Sequence, residues 1–232
     1  PDKKIWTAED PVEITQYGLR QVQVQPKIGF TFAAAMRAFL RADPDVIMVG
    51  EIRDQETAEI SIEASLTGHL ILSTVHTNNA TETITRLIEM GMDPFHFADA
   101  LLGILAQRLA RTICRACKEP YHPSQEEYQA LAAGYGEEAF AQLDIPYDGD
   151  FKLYRGRGCE ACQQTGYKGR MGIHELLITT GTIKSHIHAR ATAAQLRQVA
   201  LDQGMTTLVQ DGISKVLQGW MDYRQVRAVA IR

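Results

Sequence analysis

Asp43-Pro-Asp-Val-Ile-Met-Val-Gly-Glu-Ile-Arg-Asp54 places a proline stop, a continuous apolar run and a carboxylate in immediate succession. Pro44 disfavours helix in the residue before it. Val46 to Val49 is the unbroken apolar run expected of a parallel strand buried on both faces. Glu51 then falls at the carboxyl end of that strand, where doubly wound sheets bind their ligands. A carboxylate there has two readings: it holds Mg²⁺ or orients a water at a phosphate, or it pairs with a surface cation. The strand alone does not choose between them.

Working outward, the flanks alternate strand and helix. Lys3 to Ala8 and the alternating Leu19 to Gln25 are expected strands. Phe32, Ala35, Met36, Phe39 and Leu40 share one helical face. Gln55 to Leu66 is an expected helix, and Leu70 to Val75 the next buried strand. Helices are expected over Ala80 to Met90 and Pro94 to Arg111. This order predicts an α/β fold with a mainly parallel sheet covered on both faces. Residues 1–111 form this part. Residues 112–170 hold all four cysteines, and residues 171–232 predict a short strand, Gly172 to Ile178, followed by mainly helical structure.

The 232 residues, 45% hydrophobic, suffice for one large domain or two to three small ones. A formal charge of -4, with 24 basic against 28 acidic residues, gives no nucleic-acid footprint, and no nucleic-acid partner is expected. No apolar run reaches membrane-spanning length.

Thr7-Ala-Glu-Asp-Pro-Val-Glu13 ends a strand with Glu9, Asp10 and Glu13 crowded together. Such crowding repels unless a cation or proton relay uses it; the other reading is a solvated acidic turn. His69 and His76 bound one strand about 23 Å apart if extended, too far to share a metal. His76 lies at the carboxyl end, and His69 at the opposite end, suited to contacting a neighbouring element or subunit. Arg37 and Arg41 are four apart on one helix, suited to a phosphate, to an acidic turn or simply to solvent. Absent from the 232 residues is any phosphate-cradling G-x-x-x-x-G-K-[ST] loop.

Cys114-x-x-Cys117 and Cys159-x-x-Cys162 offer four thiolates, the donor set of a closed tetrahedral Zn²⁺ site with no open position for catalysis. Redox-active pairs are the alternative. His174 reads as structural beside four thiolates.

TAEDPVE (7–13), FAAAMRAFLRADPDVIMVGEIRD (32–54), TAEISIEASLTGHLILSTVHTN (57–78), RLIEMGMDP (86–94) and LAQRLARTIC (105–114), in this order, resemble the ATPases of type II secretion and type IV pilus assembly. Gln203 to Gly219 resembles the terminal segment of that family. The resemblance implies the C-terminal portion of a RecA-like P-loop ATPase domain with a tetracysteine zinc module and a helical C-terminal region. Glu13 would be the catalytic carboxylate of an aspartate box that also holds Glu9 and Asp10. Glu51 would belong to an atypical Walker B motif, and His69 and His76 to a histidine box. Arg37 and Arg41 would act on nucleotide phosphates.

The implied cofactors are ATP, Mg²⁺ and Zn²⁺. The implied partners are further copies in a hexameric ring and the inner-membrane platform and docking proteins of the machine. The implied place is the cytoplasmic face of the inner membrane. The phosphate loop would lie upstream. The zinc module favours assembly or secretion over retraction. Ala8 and Asn79 depart from the family's usual Ile and Asp at positions without chemistry. The alternative is a zinc-stapled interaction module, inactive in isolation.

Overall fold

The computed structural model describes residues 2–230. In chain order its elements are β1 (Ile5–Glu9), β2 (Leu19–Gln23), α1 (Phe32–Phe39), β3 (Val46–Val49), α2 (Gln55–Leu66), β4 (Leu70–Ser73), α3 (Ala80–Glu89), α4 (Pro94–Ala100), β5 (Gly103–Ile113) and β6 (Lys118–Tyr121). There follow α5 (Gln125–Tyr135), α6 (Glu137–Ala141), β7 (Leu153–Gly156), β8 (Tyr167–Ile178), α7 (Gly181–His188), α8 (Ala193–Asp202), α9 (Leu208–Leu217) and α10 (Tyr223–Ala230). The chain divides into two compact units. One comprises the residues up to Ile104 with Ile178–Gln203, the other Leu105–Leu177 with the residues from Gly204 onward.

The first unit is built on a four-stranded parallel sheet in the order β2-β1-β3-β4. Parallel pairing puts the carboxyl ends of all four strands along one edge. The register sets Ala8 opposite Val49 and Val49 opposite Ser73, so the residues that follow these strands emerge side by side. Thr31 caps α1 by accepting the Ala34 N–H, and the helix buries Phe32, Ala35, Met36 and Phe39, the face expected from sequence. These pack with Ala8, Ile47, Val49, Ile60 and Ala64. Asp54 caps α2, and Ser61 of that helix donates to Met36 Sδ at 3.4 Å inside the seam with α1.

Two expectations fail here. The strand at β4 is not buried, since Leu70 and Leu72 are 43% and 52% exposed. Leu70 and Leu72 share one face of the sheet, in register with the half-covered Val46 and Met48. Ile47, Val49 and Ile71 pack under α1 and α2, so the cover expected on both faces is incomplete on the Leu70 side. β4 is also the edge strand among the described residues. The helix expected over Pro94 to Arg111 stops at Ala100, and β5 follows. Leu, Ala, Gln and Arg favour helix, but Leu105, Gln107, Leu109 and Arg111 alternate with more covered neighbours, the period of a strand. Pairing with β8 overrides the local propensity.

In the second unit β5 pairs with β8, and β6 pairs antiparallel with β7, Tyr121 opposite Leu153. The strand expected over Gly172 to Ile178 is longer, beginning at Tyr167. Ser124 and Glu127 form a capping box on α5, as Thr207 and Gln210 do on α9. Leu208, Ile213 and Val216 of α9 sit in a core with Leu131, Phe140, Leu153, Ile173, Met221 and Val226. Gly212 is required there, because a Cβ would stand 2.5 Å from Val226 of α10. Among the described residues no helix is long and apolar enough to cross a membrane.

Candidate functional site

The carboxyl edge of the first unit's sheet gathers part of the charged groups that the sequence singled out: Glu51, His76 and Asp10 are linked there through Arg53 and Glu51. Gly50 N–H donates to the Ala8 carbonyl at 2.8 Å, so the chain leaves β3 alongside the end of β1. Thr74 braces the other side: its hydroxyl donates to the Gly50 carbonyl at 2.7 Å, and its own carbonyl accepts the Ile52 N–H at 3.0 Å. Glu51 is thereby held between the ends of β1 and β4. Its Oε1 accepts from Arg53 at 2.5 Å, and its Oε2 lies 3.3 Å from His76 Nε2. Arg53 also reaches Asp10 at 3.6 Å. Glu9 accepts from the Thr7 hydroxyl at 2.5 Å and from Gln21 at 2.9 Å.

The hydrogen bond from Arg53 holds the Glu51 carboxyl below its ordinary range against the opposing effect of burial, with His76 adding to the shift. The same contact raises Arg53. Glu51 is therefore ionised at neutral pH. Carboxylate oxygens are the donors that a hard cation such as Mg²⁺ takes, so Glu51 fits that ion provided Arg53 and His76 yield.

The remaining residues are less gathered. Glu13 is exposed in the segment after β1 and, among the described residues, makes no hydrogen bond or ion pair. Arg37 is bound by Glu56 at 2.6 Å. Arg41 lies beyond the end of α1 in the 3₁₀ turn Leu40–Ala42, exposed and without an ion pair among the described residues. His69 stands just before β4, its Nδ1 3.0 Å from the Ala64 carbonyl and 3.3 Å from the Thr67 hydroxyl. Sequence reasoning passed over Arg53, Glu56 and Thr74. The signal for Arg53 lay in the decisive stretch itself, as a cation two residues from Glu51.

In the second unit the four cysteine sulfurs all lie within 4.8 Å of one another. Cys114–Cys159 and Cys117–Cys162 are 3.9 Å apart, and Cys159–Cys162 3.7 Å. Zn–S bonds of about 2.3 Å at the tetrahedral angle require sulfurs about 3.8 Å apart. Disulfides need about 2.05 Å, and all four cysteines are free. Donor chemistry and spacing both fit Zn²⁺, with every position filled by sulfur.

Backbone amides prepare the site. The N–H groups of Cys159 and Gly166 point at Cys162 Sγ from 3.2 and 3.3 Å. Burial pushes the Cys162 thiol up, but those donors and the neighbouring thiols outweigh it and bring it down to about 6. Burial carries Cys117 the other way, to about 11.

The second cysteine pair depends on two glycines in contact. Gly166 has φ +79, and a Cβ there would stand 2.6 Å from the Gly156 carbonyl oxygen. Gly166→Ala is expected to cost about 1–3 kcal/mol from the left-handed backbone alone, with the clash added. Gly149→Ala, facing open space, should stay within about 0.5 kcal/mol of the parent. Denaturant unfolding of the two variants checks the contrast.

A parallel sheet with ionised side chains at its carboxyl edge is the layout of nucleotide-binding α/β proteins, and here it is joined to a four-thiolate centre. The family model described as "Type II/IV secretion system protein" matches residues 1–228. The chain belongs to that family. It is 48% identical over 231 residues to the type IV pilus assembly ATPase PilB of Thermus thermophilus, covering 100% of this chain and 25% of that protein. It is 45% identical over 227 residues to the type II secretion system protein E of Dickeya dadantii, covering 97% of this chain and 42% of that protein. The solved pilus retraction motor PilT with bound ADP superposes with a TM-score of 0.65 at 26% identity, over 99% of this chain and 53% of that one. The chain thus spans less than half the length of these two curated relatives.

Proposed function

We propose that the chain is the hydrolytic and metal-stapled part of an ATP-driven motor for type IV pilus assembly or type II secretion. The observation that carries this is Glu51, held ionised at the carboxyl edge between the acidic end of β1 and His76. Glu13 takes the proton of the attacking water, and its lack of partners among the described residues leaves both oxygens available. Glu51 supports Mg²⁺ or orients that water, and His76 and Arg53 hold its carboxylate until the nucleotide arrives. Bound Mg²⁺ would neutralise phosphate charge. Arg37 and Arg41 meet phosphate charge, Glu9 and Asp10 complete the acidic wall, and His69 contacts a neighbouring element or subunit.

Six copies form a ring on the cytoplasmic face of the inner membrane, and hydrolysis shifts them as rigid bodies against the platform and docking proteins. Curated relatives that are pilus assembly and type II secretion proteins support this reading. Zn²⁺ on the four cysteines is structural.

No phosphate loop occurs within residues 1–232. The chain alone is therefore expected to show no ATP turnover above background, whereas a longer protein that includes it and a phosphate loop turns ATP over. Phosphate release from both preparations tests this. Turnover by the isolated chain would refute the assignment of phosphate binding to another segment.

A further inference from the structure

Arg37 is a long side chain on a helix surface, and left free it would sample many rotamers. It does not stand free: its guanidinium meets Glu56 Oε1 at 2.6 Å. Both ends of this contact are mounted on fixed structure. Met36 and Phe39, on either side of Arg37, are buried. Met36 Sδ also receives the Ser61 hydroxyl from α2 at 3.4 Å. Glu56 sits in the first turn of α2, which the Asp54 side chain caps by accepting the Thr57 N–H at 2.8 Å.

That turn begins just past Glu51, at the carboxyl edge of the sheet. Glu56 therefore ties the Arg37 guanidinium to the first turn of the helix that follows Glu51 in the chain. The contact uses one guanidinium nitrogen, and a guanidinium has five N–H donors. Most of them stay available to a second anion. Arg41, past the end of α1, has no such anchor among the described residues.

We propose that Glu56 is the positioning residue of Arg37, orienting its guanidinium at the carboxyl rim so that the unused donors face an incoming nucleotide phosphate. This deepens the reading of Arg37 given above and rests on it. Glu56 touches no phosphate itself. Its carboxylate would repel one, and its contribution passes wholly through Arg37. Because both side chains are more than half exposed, the anchor is a modest one, and its loss should register in turnover rather than in folding.

The experiment uses a longer family protein containing this chain, with Glu56→Gln, Arg37→Ala and the double variant. Glu56→Gln is expected to lower kcat about fivefold, the equivalent of an exposed ion pair, with KM for ATP and the melting temperature unchanged. In the Arg37→Ala background the same change should do nothing further. An equal loss in both backgrounds, or none in either, would overturn the positioning role.

If Arg37→Ala itself keeps full turnover, the phosphate reading of Arg37 fails instead. The anchor is then judged on residues 1–232 alone, by the NMR signal of the Arg37 Nε–H. Ordered in the parent and averaged in Glu56→Gln, the signal upholds the contact; averaged in both, it removes it.

Discussion

Glu13→Gln in the longer protein should abolish most ATP turnover, by about 10²–10⁴-fold, the usual worth of a positioned general base. Glutamine keeps the size and the hydrogen-bonding reach of the side chain and removes only the ability to take a proton. Glu13 is exposed and makes no ion pair among the described residues, so the substitution breaks nothing that holds the fold. Melting temperature and nucleotide affinity should stay put while kcat collapses. Glu51→Gln provides the contrast. It removes the negative charge that pairs with Arg53 at 2.5 Å and His76 at 3.3 Å, leaving a single neutral acceptor oxygen, so it should also raise the Mg²⁺ concentration needed for half-maximal rate. Turnover near the parent level in Glu13→Gln would end the assignment of that residue as the base.

Removing the metal is expected to have the largest effect on stability. Four sulfurs within 4.8 Å of one another, once deprotonated, repel unless a cation sits among them. Beyond the sulfurs, the loop carrying the second cysteine pair is tied to the first pair by two backbone bonds, Cys114 N–H to the Gly166 carbonyl at 2.9 Å and Arg157 N–H to the Cys117 carbonyl at 3.0 Å. Its internal bonds are short-range turns such as Gln163 N–H to the Glu160 carbonyl at 3.0 Å. Structural Zn²⁺ in small finger peptides is worth about 10–16 kcal/mol. Here Leu131, Ile173 and Ile213 form a hydrophobic core without the cysteines, so the loss is expected to fall below that range.

Elemental analysis should find one Zn²⁺ per chain. Strong chelation should lower the unfolding midpoint and release the protection of backbone amides near Cys159 to Gly166 first. Cys114→Ser should reproduce both effects. A reduced, metal-free chain of unchanged stability would refute the site.

Much of this was legible in the sequence, for identifiable reasons. Val46 to Val49 announces an inner strand, and β3 is one, but only Ile47 and Val49 are fully buried while Val46 and Met48 are half-covered, so the burial expected on both faces holds for one. The cysteine centre was legible because two C-x-x-C pairs carry their own chemistry wherever the intervening chain runs. The stretch after Ala100 was misread because Leu-Ala-Gln-Arg carries helical propensity, and only pairing with the distant β8 decides otherwise. The exposure of Leu70 and Leu72 was invisible because an apolar run does not say whether a helix covers each face of the strand. Arg53 and Glu56 were passed over because an ion pair depends on where side chains meet, and a single sequence does not record that.

The open flank of β4 has a consequence for residues 1–232 as a separate substance. Leu70 and Leu72 stand exposed along a strand whose outer N–H and C=O groups find no strand partner among the described residues. Such an edge is a template for another chain's strand. Self-association at high concentration is therefore expected to run through that border, and Leu72→Lys should reduce it.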